Sequence, residues 1–230
     1  MFGLTFKVVG LINSFKQIDF KTYHRTYLCP TKWNILGFLT NVCWESERFY
    51  YELSNEEELY VQIKILKIWW FIKDLWHIKD LKHKDGSIIR REKLFNSIYE
   101  IEIIWKRDLI DKFYNGIKFP KRTPSLGMDD EIVNILHIDV KNFERKKLKK
   151  MDKILFLDYP IRIVNFFPYD WIFFHYPQVR IINKYWNVKW RQANLLDKKR
   201  RSKRRSESNL YFVDFYGWIV EFDKEIDVWM

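Results

Sequence analysis

Seven of the eight positions from 198 to 205 are basic: Lys198, Lys199, Arg200, Arg201, Lys203, Arg204 and Arg205. So dense a run of like charge repels itself and is relieved most when phosphates replace its counterions. Arginine adds forked hydrogen bonding to phosphate and a flat face that stacks on bases. Just upstream, Tyr185, Trp186 and Trp190 stand among Lys184, Lys189 and Arg191. That interleaving suits stacking on unpaired bases, and core packing is the plainer reading of the three rings. A second cluster holds Lys141, Arg145, Lys146, Lys147, Lys149 and Lys150. Its plainer reading is the solvated end of a helix, where cations suit the dipole.

The excess charge is confined to one stretch. Residues 141–205 contain 19 Lys or Arg against five Asp or Glu, a net of +14, whereas the other 165 residues carry a net of −3. With a total of +11 and a pI of about 9.4, the chain favours a polyanionic partner, and its asymmetry implies a one-sided binding surface.

Catalytic patterns are missing. No H-E-x-x-H, C-x-x-C, G-x-x-x-x-G-K or G-x-S-x-G occurs among the 230 residues. His77 and His83 are six apart, which does not place both on one helix face. His175, between Phe174 and Tyr176, reads as a strand residue rather than a ligand, and Asp129 and Asp130 read as helix-capping residues. Two cysteines, Cys29 and Cys43, provide neither a disulfide framework nor a four-ligand zinc site. The expectation is a protein without enzymatic activity, metal, cofactor or small-molecule substrate.

The elements that must position these residues read as α+β, a helical N-terminal and central part followed by an antiparallel β-rich C-terminal part with a basic insertion. Residues 2–15 read as an extended piece. Ser54 or Asn55 followed by three glutamates predicts a helix start, and Leu59, Ile63, Leu66 and Trp70 continue at helical spacing as far as Asp85-Gly86. Leu94, Ile98, Ile101, Trp105 and Leu109 predict a second helix from Ser87 to Asn115-Gly116, although Tyr99, Ile101, Ile103 and Trp105 also alternate like a strand. A third helix is predicted over 130–150. Residues 154–167, 171–182 and 210–222 read as strands. The division is a helix-rich part, 1–128, and a basic, β-rich, RNA-binding part, 129–230, with one continuous domain as the alternative. No run reaches the roughly 20 apolar residues of a spanning helix.

Ala193 is the only alanine where ordinary usage predicts roughly 18. Glycine and proline, whose codons are also GC-rich, number 7 and 6, while there are 11 tryptophans. AT-rich coding with UGA read as tryptophan reconciles these counts and points to an organelle gene. Residues 1–27 are acid-poor, with Lys7, Lys16, Lys21 and Arg25 against Asp19, and superficially match a transit peptide. A protein made inside the organelle would need none.

This composition, together with the 198–205 tract, resembles the divergent ribosomal proteins encoded in ciliate mitochondrial genomes. No motif carries the resemblance, so no residue roles transfer. It implies a structural constituent of the mitochondrial ribosome in the matrix, bound to ribosomal RNA and to neighbouring ribosomal proteins. An alternative of another class is a peripheral, matrix-facing subunit of a respiratory or ATP synthase complex, docked through residues 59–81 with the basic stretch facing cardiolipin. A maturase-like processing factor should show a catalytic constellation.

Overall fold

The computed structural model describes residues 1–17, 23–56, 58–79, 86–168, 175–183 and 209–230. Its spine is β5 (Gly86–Trp105), a 20-residue strand. The second half of β5 runs antiparallel between β1 (Phe2–Asn13) and β3 (Tyr60–Lys67). Its first half pairs with β4 (Trp70–Lys79) as a hairpin and, on the other side, with the short parallel β2 (Tyr23–His24). Beyond β1 lies β6 (Val133–Asn142). Beyond β3 come β8 (Ile154–Leu157), β11 (Asn209–Tyr216) and, at the edge, β10 (His175–Asn183). A separate three-stranded sheet has the order β7 (Arg145–Met151), β12 (Trp218–Trp229) and β9 (Ile163–Pro168).

Alternation on β1 sends Leu4, Phe6 and Val8 into the core, all fully buried. The helices α1 (Lys32–Cys43) and α3 (Arg107–Lys118) cover this side, with Phe6 stacked on Phe38 of α1 at 5.8 Å between centroids. Thr31 starts α1 with a capping box, its side chain accepting from the Asn34 N–H while the Asn34 side chain accepts from the Thr31 N–H. A short α2 (Glu47–Asn55) follows, capped by Ser46.

The expectation of helices first and strands last is corrected: the molecule is mostly antiparallel β throughout. Where residues 54–85 were expected as a helix, α2 ends at Asn55 and β3 and β4 follow. The second predicted helix is β5 followed by α3, which runs through Asn115-Gly116 to Lys118. The third is β6 and β7, and Leu136 and Val140 on β6 are exposed. The physical reason lies in β5. Ile101 to Trp105 are all buried because the strand is central and both its faces are covered, which blurs period two into a pattern that also fits a helix. Residues 2–15 are extended as expected, and the C-terminal segments form β8 to β12.

Candidate nucleic-acid interface

The cluster around residue 145 is a strand rather than a helix end. On β7, Arg145, Lys146, Lys147, Lys149 and Lys150 are all exposed, while Leu148 and Met151 turn toward the core. Register with β12 sets Asp227 opposite Lys147 and Glu221 opposite Lys150, so Arg145, opposite Trp229, reaches Asp227 diagonally. Arg145 donates to Asp227 at 2.7 Å, and Lys150 stands 3.8 Å from Glu221. Lys146, Lys147 and Lys149 form no ion pair among the described residues. Since β7 is the edge of its sheet, these ammonium groups also discourage another strand from pairing there. Lys141, at the end of β6, lies 5.6 Å from the centre of the Phe143 ring.

The other cluster enters through its anchors. Residues 184–208 join β10 to β11, and the ladder between those strands extends to Asn183 opposite Asn209. This connection therefore leaves and re-enters the sheet at one place. It carries ten Lys or Arg against Asp197 and Glu207. All of Lys184, Tyr185, Trp186, Lys189, Trp190, Arg191 and the basic residues of 198–205 lie outside the described residues.

Arg145 and Leu210, the residue after Asn209, both line a cleft of about 150 Å³. Leu210 lies next to the point where the connection re-enters the sheet, and Arg145 is the first residue of β7. Tyr60, Phe156, Tyr159 and Trp229 also line the cleft, together with Lys32, Asp158 and Asp227. Gln62 fixes the position of Trp229: its amide donates to the Trp229 carbonyl at 2.8 Å, and the Trp229 N–H donates back at 3.1 Å. The ring of Trp229 lies 5.4 Å from that of Tyr60, which opens β3 and is 37% exposed. Lys224 sits 4.6 Å from the centre of the Tyr159 ring. Burial, and after it the charge of Asp227, raises the Tyr159 phenol, so its hydroxyl keeps its proton. Buried Lys32 donates to the Leu59 carbonyl at 2.7 Å, holding the loop before β3 against α1. Tyr60 and Trp229 on strands, with the Arg145 guanidinium in the same lining, are an arrangement suited to stacking on unpaired bases and neutralising phosphates.

Sequence reasoning missed Tyr60, Tyr159 and Trp229. They come from three distant segments, and no local spacing connects them. His175 is a strand residue, at the start of β10, 3.8 Å from the buried Asp214. Cys29 and Cys43 are buried free thiols, pushed up by burial and therefore not thiolates. Among the described residues no cluster of three His, Cys, Asp or Glu is placed to hold a metal, and no helix is long and apolar enough to cross a membrane.

No family model and no curated protein sequence matches this chain. Among solved structures it resembles a CRISPR protein from Archaeoglobus fulgidus, with a TM-score of 0.54 and 10% identity over 100% of this chain and 96% of that one. Two other likenesses are partial. A chain described as a CRISPR RNA-guided surveillance complex matches with a TM-score of 0.46 and 11% identity over 57% of this chain and 60% of that one. A Cas protein matches with a TM-score of 0.41 and 17% identity over 56% and 58%. The chain thus spans less than two thirds of those two and nearly all of the archaeal protein. At 10% identity the end-to-end likeness speaks for the fold alone. It nevertheless overturns the expectation of a mitochondrial ribosomal constituent engaged in translation, and equally the respiratory or ATP synthase alternative: the end-to-end likeness is to a CRISPR protein.

Proposed function

We propose that this chain is a non-enzymatic, single-stranded RNA-binding component of a CRISPR-type nucleoprotein. The RNA is seated in the cleft lined by Arg145 and Leu210, and the β7 lysines and the basic residues of 184–208 are the sources of phosphate-neutralising charge. The supporting observation is that Arg145, the first residue of β7, and Leu210, near the start of β11, line one aromatic cleft. Tyr60 and Trp229 supply base-stacking faces there, and Lys146, Lys147 and Lys149 have ammonium groups available for phosphates. The resemblance of the whole fold to a CRISPR protein agrees with this reading. A mitochondrial address is a further proposal, supported by the single alanine and the eleven tryptophans.

The test is RNA affinity as a function of salt. Changing Lys146, Lys147 and Lys149 together to Gln removes up to three phosphate contacts. The slope of log affinity against log salt should then flatten by about 2 for a single strand, with a loss of at least tenfold in affinity at low salt. Neutralising residues 198–205 should flatten it further. An unchanged slope and affinity in both variants, with native circular dichroism, would sink the proposal.

A further inference from the structure

A second cavity, of about 300 Å³, lies where β2 meets the first half of β5. Lys16, Arg25 and Arg91 line it, with His24, Ser14, Asn34, Gly127, Met128 and a single carboxylate, Glu92. Its walls are built from the core outward. Glu131 is 2% exposed and accepts from the Ser14 N–H at 2.7 Å, the Ser14 hydroxyl at 2.6 Å and the Met128 N–H at 3.0 Å, while Lys93 stands 3.6 Å away. One buried acid therefore ties together two of the segments that line the cavity.

Arg91 is the central side chain. It is 8% exposed, its guanidinium lies 4.7 Å from the centre of the Trp76 ring, and it donates one terminal nitrogen to Asp74 on β4. Its Nε–H finds no acceptor among the described residues. A buried guanidinium N–H without an acceptor is costly, and Arg91 lines a cavity in which an anion would offset its charge. Arg25 is 3.9 Å from Glu92, a loose pair, and Tyr23 takes another of that carboxylate's lone pairs through its hydroxyl. The Asn34 carboxamide oxygen is occupied by the Thr31 N–H and hydroxyl. The field in the cavity is positive. His24, 6.2 Å from Trp76, is held below its ordinary pKa, first by burial and then by the charges of Lys16 and Arg91.

We propose that this cavity is a phosphate subsite, with Arg91 as the fixed donor and Lys16 and Arg25 as the two cations that close on the phosphate. Trp76 holds the Arg91 guanidinium in plane, and Glu131 keeps the walls set before the ligand arrives. The phosphate belongs either to a free nucleotide or to the backbone of an RNA strand. This site shares no residue with the cleft at Arg145, so it stands or falls separately from the function proposed above.

Calorimetric titration of the full chain with adenosine 5′-monophosphate, inorganic phosphate and a short oligoribonucleotide tests it. Lys16 and Arg25 are exposed, so the Lys16→Gln, Arg25→Gln double variant should fold, and Arg91→Lys removes the Nε donor while keeping the charge. Saturable monophosphate binding that falls at least tenfold in both variants assigns a free-nucleotide site. Loss confined to the oligoribonucleotide, again at least tenfold, assigns a backbone phosphate. Affinity for all three probes unchanged in both variants, or no saturable binding of any, overturns the proposal. The Lys146, Lys147, Lys149 variant should leave monophosphate binding unaffected, which separates failure here from failure of the RNA cleft.

Discussion

Asp214 and His175 sit 3.8 Å apart beside Arg180, and folding shifts the two groups in opposite directions. Burial raises Asp214 from 3.8 to about 6, against the pull of Arg180, the Leu28 N–H and Arg25. Burial, then the charges of Arg180 and Arg25, lowers His175 from 6.5 to about 4. The folded state therefore keeps a proton on Asp214 that the unfolded chain releases, and its contribution is lost as pH rises through about 6. It also keeps His175 neutral where the unfolded chain would protonate it, so that contribution grows as pH rises from about 4 to 6.5. The two largely cancel between pH 4 and 6, each being worth roughly 2–3 kcal/mol across its window. Urea denaturation at several pH values should therefore show His175→Gln losing stability relative to the native chain as pH rises through this window. Asp214→Asn should gain over the same range. Parallel profiles for all three proteins would show that the pair does not titrate this way. At this scale the sequence showed the cationic clusters but not the aromatic lining of the cleft. Clusters of Lys and Arg are adjacent in the chain, whereas Tyr60, Tyr159 and Trp229 come from three segments that share a cleft only in the fold.

The close approach of α1 and α3 depends on Gly116. A Cβ there would lie 2.3 Å from the Cys43 sulfur and 3.4 Å from its Cα. Alanine is favoured over glycine within a helix by up to about 1 kcal/mol. Gly116→Ala should nevertheless destabilise the protein by about 1–3 kcal/mol, because overlap at a packed helix contact outweighs propensity. Adding Cys43→Ala should recover most of that loss in thermal melts, a coupling that a double-mutant cycle isolates. A stabilising Gly116→Ala would mean that the helices part without cost. Gly116 was expected as a helix terminator, yet it lies inside α3, chosen for contact rather than for its turn. The long strand β5 was misread for a related reason. Leu94, Ile98, Ile101 and Trp105 satisfy helical spacing, and only tertiary burial of both faces decides for the strand. By contrast β1, with Leu4, Phe6 and Val8 alternating inward, was recognisable as extended from sequence.

At the scale of the molecule, antiparallel pairing brings distant segments to one cleft. Cations from residues 145–150 and the connection 184–208 are far apart in the chain. β12 carries Trp229 to Gln62 and Asp227 to Arg145, and β11 carries Leu210 to the same cleft. The +14 of residues 141–205 was readable from composition, and it is what favours a polyanionic partner. The likeness of the fold to a CRISPR protein was not readable, because codon-driven composition reports the genome that encodes a protein and says little about its fold. The most direct test is ultraviolet crosslinking of the full chain to a short single-stranded RNA, with the attached peptides identified by mass spectrometry. The account predicts adducts at Tyr60, Tyr159 or Trp229 together with peptides from 184–208, all suppressed by high salt. Crosslinks found only away from both the cleft and that connection would contradict it.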